Sequence, residues 1–202
     1  MTGLGSGGLW HRWRNHLGGK RRRTLFLTVL ILGAMTAVAA TGAWWGSPTW
    51  RQVNLVLNYR FSDVQSISTQ QLDSILRQAQ NDSVAGKLIL LDIRSAEEFA
   101  VSRIAGAWHV LPEAVLDFAE RELVAVDRTH LIVVYCAVGL RSAVAARDLE
   151  FLGFTQVKNL RGSLFQWANE GRALEGGAVV HPYNGYWGRL LRTDVRQSIT
   201  GG

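Results

Sequence analysis

With 202 residues, 22 Lys and Arg against 16 Asp and Glu, and a formal charge of +6, the chain is long enough for one domain of ordinary size plus flanking segments. The charge is uneven: residues 1–60 carry eight basic residues and no acid, for +8, whereas residues 61–202 carry fourteen basic and sixteen acidic ones, for −2. A mildly acidic body argues against a nucleic-acid-binding groove, and a single cysteine, Cys136, excludes an internal disulfide and a resolving thiol within the chain.

Residues 1–23 form a basic N-terminal tail, Gly-rich at first and ending in Lys20-Arg21-Arg22-Arg23. The next 23 residues, 24–46, carry no charge and include Leu25-Phe26-Leu27 and Val29-Leu30-Ile31-Leu32. A helix of that length crosses a hydrocarbon layer of about 30 Å, with Trp44, Trp45 and Trp50 falling where an interfacial aromatic belt would lie. The expectation is one retained transmembrane helix. A cleaved secretory signal ending near Ala37-Val38-Ala39 is the alternative. Six basic residues precede the span and only Arg51 and Arg60 follow closely, which predicts a single-pass membrane protein with a cytoplasmic N-terminus and an extracytoplasmic domain. Residues 47–63 read as a juxtamembrane linker, and the pattern over 50–61 does not choose between a helix and a first strand.

A domain is expected over 64–175. Ser68 to Gln71 form a capping box, and Leu72, Ile75, Leu76 and Ala79 line one face of a helix over 69–80. Residues 87–92 read as a buried strand ending in Asp92, after which Ser95 and Glu98 offer a second capping box. Asp92 and Arg94 fall at the strand-end edge where open α/β sheets bind ligands, although a structural ion pair is the preferred reading. A short strand over 105–110 follows, in which His109 has no partner at metal-ligand spacing. Pro112 opens a helix reaching about residue 125, and 130–135 is the next strand.

Cys136-Ala137-Val138-Gly139-Leu140-Arg141-Ser142 joins that strand to a helix beginning at Ser142. The first N–H groups of a helix lack intrahelical partners and carry its positive dipole end. A loop curled over that end makes an anion nest, which would stabilise the Cys136 thiolate and activate it as a nucleophile. Gly139 supplies the backbone freedom that a tight loop needs. Arg141 adds a fixed charge, Ser142 can cap the helix, and Ala143, Ala145 and Ala146 permit close approach to the sheet. A strand over 155–160 and a helix containing Phe165 and Trp167, ending at Gly171, complete an alternating order that predicts a mostly parallel α/β sheet. Residues 176–202 form an aromatic and basic tail, expected to pack on the domain.

Cys136 to Ser142 resembles the C-x-x-G-x-R-[ST] loop of rhodanese domains. Leu90-Leu91-Asp92-Ile93-Arg94 with Glu98-Phe99 and Ile104-Ala105-Gly106-Ala107, and Asn159-Leu160-Arg161-Gly162-Ser163 with Trp167 and Gly171, are similar to that family's two other motifs. Arg103 stands where the family commonly has His, Ser163 where it has Gly, and Ala137 and Val138 are apolar where some thiosulfate-using members are basic. The resemblance implies a five-stranded rhodanese-like sheet flanked by helices, with Cys136 and Arg141 catalytic and Ala137, Val138, Gly139, Leu140 and Ser142 binding substrate.

The implied function is a membrane-anchored sulfurtransferase that moves a sulfane sulfur from a donor such as thiosulfate or a persulfide, through a Cys136 persulfide, to a thiol or other nucleophilic acceptor, which could be a protein. No cofactor or metal is required. Two alternatives are carried: a catalytically silent rhodanese-like binding module, and an enzyme acting on phosphate or arsenate. The six residues from Cys136 to Arg141 favour sulfur over the latter, because in the family a longer loop accompanies phosphate.

Overall fold

The structure, a computed structural model, describes residues 46–81 and 88–198. The basic tail and, but for Gly46, the expected membrane span lie outside these residues. Among the described residues no helix is long and apolar enough to cross a membrane.

The sheet contains β1 (Ser66–Ile67), β2 (Leu88–Asp92), β3 (Trp108–His109), β4 (Leu131–Tyr135) and β5 (Val157–Leu160). Their order is β1-β5-β4-β2-β3, and every pairing is parallel. Parallel neighbours need crossover helices, so both faces of the sheet are covered and its central strands become apolar throughout. In β4, Ile132 and Val134 enter one core, whereas Val133 and Tyr135 enter the other, as the two-residue side-chain period of a strand dictates.

On the Ile132 face lie α4 (Val115–Glu122) and α5 (Leu140–Phe151), contributing Val115, Ala119, Ala145, Ala146 and Leu149. On the opposite face α2 (Thr69–Asn81) and α6 (Ser163–Asn169) contribute Leu72, Leu164, Phe165 and Trp167. From β2 the chain passes through α3 (Ala96–Val101) to the β3 edge, and from β4 it passes through α5 toward β5. The two crossovers leave in opposite directions, so a crevice opens beyond the carboxyl ends of β2 and β4. Cys136 immediately follows β4 and stands at that crevice.

The segments flanking the expected domain are part of its core. Residues 50–60 form α1 (Trp50–Arg60), started by a Thr49/Gln52 capping box. Its Val53 and Leu57 are buried beside Ala137 and Val138, each such burial worth about 1.5–3 kcal/mol. Arg147 of α5 pairs with Asp63, donates to the Arg60 carbonyl and lies over Phe61, fastening the end of α1 to the body. The tail contributes Val180, Leu190 and Leu191 to the same core. Asn169 donates to the Leu190 carbonyl and accepts from the Arg192 amide.

Several boundaries differ from the sequence expectation. The strand expected over 105–110 is only Trp108–His109, because residues 105–106 form a turn in which Gly106 has φ +77. The helix expected from Pro112 to about residue 125 is a 3-10 turn, Pro112–Ala114, followed by α4, which stops at Glu122. Helix α5 begins at Leu140 rather than Ser142, since Gly139, at φ +105, already takes the N-cap position. Both capping boxes of the domain form, Ser68 with Gln71 and Ser95 with Glu98.

Candidate active site

Strand β4 delivers Cys136 and α5 supplies the end of the loop around it. The Gly139 amide donates to Cys136 Sγ at 3.1 Å, and the Ser142 hydroxyl lies 3.5 Å from the same sulfur. The loop turns this tightly because Gly139 adopts φ +105, where an added Cβ would meet Leu57 Cδ1 at 3.3 Å. Cys136 is only 1% exposed, and this burial works against ionisation. The nearby Arg141 charge, the Ser142 hydroxyl and the Ser142 and Gly139 amides outweigh it, and the thiol is held below its ordinary range. The arrangement places a sulfur with lowered pKa at a helix N-terminus, a setting that favours a thiolate.

Ser142 does not cap α5. It sits within the first turn, where its hydroxyl donates to Asn159 Oδ1 at 2.7 Å, and the Asn159 amide group donates to the Gly139 carbonyl at 3.0 Å. Asn159, on β5, therefore clasps the middle and the end of the loop. Ser163 anchors its beginning: the Ser163 hydroxyl accepts from the Cys136 amide at 3.2 Å and donates to the Leu160 carbonyl at 3.1 Å. Ser163 has φ +49, a conformation that glycine adopts without penalty. Here a side chain at that strained position ties two strand ends together.

Arg141 is held from two directions. Its Nη1 and Nη2 donate to Glu98 Oε2 and Oε1 at 2.8 and 2.9 Å, while its guanidinium carbon lies 4.7 Å from the centre of the Tyr183 ring. Burial alone would favour the neutral guanidine, but the Glu98 hydrogen bonds and the neighbouring Cys136 and Glu98 charges hold Arg141 firmly protonated. Glu98 is 1% exposed and also accepts from the Ser95 amide, so the carboxylate that closes the α3 capping box also orients the loop cation.

Asp92 and Arg94 form a fully buried ion pair, with contacts of 2.8 Å from Nε to Oδ1 and 2.7 Å from Nη2 to Oδ2. Arg94 Nη2 also donates to the Ser102 carbonyl at 2.6 Å. The pair ties β2 to the end of α3, and among the described residues no hydrogen bond joins it to Cys136. Ala137 and Val138 are buried at 3% and 5% exposure and wall the loop with apolar surface, and Leu140 is partly buried. His109 stacks on Phe99 and its Nε2 lies 2.9 Å from the Arg94 carbonyl. Among the described residues no cluster of three or more His, Cys, Asp or Glu side chains could hold a metal ion.

Reasoning from sequence named the loop residues but missed Glu98, Asn159, Ser163 and Tyr183 as parts of the site. Glu98, Asn159 and Ser163 stood within recognised motifs, which could have drawn attention to them. Tyr183 carried no local signal, because it reaches Arg141 from 42 residues away.

A family model described as "Rhodanese-like domain" matches residues 70–170, half of the chain. Similar to the chain is the thiosulfate sulfurtransferase GlpE of Actinobacillus succinogenes, 31% identical over 94 residues, which cover 46% of this chain and 81% of that protein. A sulfurtransferase of Allochromatium vinosum is 33% identical over 84 residues, covering 42% of this chain and 75% of that one. Among solved structures, a thiosulfate sulfurtransferase from Pseudomonas aeruginosa superposes with a TM-score of 0.50 at 26% identity, over 63% of this chain and 23% of that one.

Proposed function

The chain belongs to the rhodanese-like domain family, and from that premise we propose that it is a sulfurtransferase carrying a sulfane sulfur on Cys136. The Cys136 thiolate attacks the outer sulfur of a donor such as thiosulfate or a persulfide. The donor's sulfur–sulfur bond breaks, its remainder leaves as an anion or thiol, and Cys136 becomes a persulfide. The loop amides and Arg141 stabilise the added negative sulfur until a thiol or other nucleophile removes it and restores the thiolate. The observation that carries this reading is the thiol held below its ordinary range, with the Gly139 amide at 3.1 Å and the Arg141 charge beside it.

Intact-mass measurement after exposure to thiosulfate, and separately to a thiol persulfide, tests it. One added sulfur is expected on the protein, and none on Cys136→Ser. If neither donor adds sulfur while Cys136 still reacts with iodoacetamide, the reading fails. The 1% exposure of Cys136 favours as second reading a silent binding module. That reading would be supported by an unchanged phenotype on Cys136→Ser together with a loss on deleting the domain.

The same proposal has the domain tethered to a membrane by residues 24–46, with the N-terminus cytoplasmic. The uncharged 23-residue run and the basic residues before it support this. Resistance to carbonate extraction, with the domain protected from protease added on the cytoplasmic side, is the expected result. Release by carbonate would refute the tether and leave the sulfur chemistry standing.

A further inference from the structure

Tyr183 lies beyond the residues that match the family, 70–170, yet its ring covers the cation of the active-site loop at 4.7 Å. Its backbone is held in the left-handed region, at φ +63. The Tyr183 amide donates to His181 Nδ1 at 3.1 Å, and the Asn184 amide donates to the Pro182 carbonyl at 2.7 Å. The tail carrying it is seated by Val180 and Leu191, which are buried at 0% and 4% exposure. The ring is therefore fixed over Arg141 by its backbone on one side and its neighbours' burial on the other, while 47% of Tyr183 remains exposed.

Glu98 makes a second claim on the same guanidinium, binding both terminal nitrogens. A buried carboxylate paired with a guanidinium whose side chain is 26% exposed sums to no net charge, and the loop walls beside it, Ala137 and Val138, are apolar. The site can stabilise one negative sulfur through its amides and the adjoining Arg141 charge, which Glu98 already balances. A dianion approaching the thiolate would bring three negative charges together in a poorly solvated space, where such repulsion is weakly screened.

Resting on the sulfurtransferase reading, we infer that Tyr183 and Glu98 are specificity-determining residues that select a neutral or singly charged hydropersulfide, R–S–SH, as sulfur donor over dianionic thiosulfate. Cys136–S⁻ attacks the terminal sulfur of R–S–SH, the donor's sulfur–sulfur bond breaks, and the proton of the terminal sulfur departs with the thiol. The products are Cys136–S–S⁻ and R–SH, with total charge unchanged at one negative. Thiosulfate would give the same Cys136 persulfide and release sulfite, but only after its two charges had been accommodated.

The test is the ratio of second-order rate constants for loading sulfur onto Cys136 of the full-length protein from 2-hydroxyethyl hydropersulfide, which carries at most one negative charge, and from thiosulfate. The parent protein is expected to favour the hydropersulfide by at least about tenfold. Tyr183→Ala uncovers Arg141, and Glu98→Gln removes the compensating charge while keeping a residue able to close the capping box. Each should lower the ratio by about tenfold, equivalent to about 1.4 kcal/mol, and Tyr183→Phe, which keeps the ring, should hold the parental ratio. A merely structural role would slow both donors together and leave the ratio in place. Equal loading from the two donors by the parent, or an unmoved ratio in both Tyr183→Ala and Glu98→Gln, overturns the inference alone. Loading from neither donor overturns the sulfurtransferase reading along with it.

Discussion

Replacing Arg94 by methionine removes the cation of a pair whose two side chains are both 0% exposed. Methionine keeps much of the apolar stem, so the change isolates the charge. Asp92 loses its contacts at 2.8 and 2.7 Å and keeps the Arg94 amide at 3.1 Å, while the Ser102 carbonyl loses its 2.6 Å donor. Breaking a buried ion pair from one side costs about 3–5 kcal/mol, because the remaining charge stays in the interior without compensation. Against a total stability of about 5–15 kcal/mol, this is a large fraction. With a urea dependence near 2 kcal/mol per molar, the unfolding midpoint of the full-length protein should fall by about 1.5–2.5 M. Changing both partners, Asp92→Leu with Arg94→Met, leaves no stranded charge and should recover most of the loss. A midpoint shift below about 0.5 M for Arg94→Met, or a double variant no better than the single one, would refute the assignment of this pair to stability.

Four further outcomes are expected. The rate of Cys136 alkylation by iodoacetamide should rise with pH around a midpoint below the free-thiol value of about 8.5, and Arg141→Gln should move that midpoint upward; a midpoint at or above the free value contradicts the electrostatic account. By linkage, the same depressed ionisation contributes stability fully present above the unfolded value and lost as pH falls through the lower folded one, measurable as a urea midpoint that declines over that window. Gly139→Ala forces a side chain into φ +105 against Leu57, which should cost about 1–2 kcal/mol and lower Tm by about 2–8 °C; an unchanged Tm would mean that the loop has a second, relaxed path. Leu57→Ala should destabilise the domain by about 2–3 kcal/mol in denaturant unfolding, whereas a helix serving only as a linker would register no change.

The sequence by itself was enough for the local and repetitive features, because these depend on neighbours a few residues apart. Ser68 with Gln71 and Ser95 with Glu98 close their boxes within one turn, and the apolar run ending at Tyr135 could only be a covered strand. Cys136, Gly139 and Arg141 were legible as a unit because the strand-loop-helix that holds them is contiguous. Even there, contiguity misled over Ser142: its hydroxyl, free to cap a helix in isolation, instead meets Asn159, brought beside it by the pairing of β5 with β4.

Tertiary structure alone decided what surrounds that unit. For residues 50–60 the Thr49/Gln52 capping box was a local sign of a helix start, but Leu55 and Val56 are as apolar as Leu57 and Val53 and stay exposed, so only packing against the loop selects Val53 and Leu57 for burial. Glu98 reaches Arg141 across 43 residues, and Tyr183 reaches it across 42 from the other side. Contacts at such separation depend on how the sheet orders its strands and where the tail finds a vacant apolar surface. No periodicity in the chain records either. The loop that sets the Gly139 amide, Ser142 and Arg141 around Cys136 is thus a property of seven consecutive residues, whereas the charge and cover of the space in front of it belong to the folded domain.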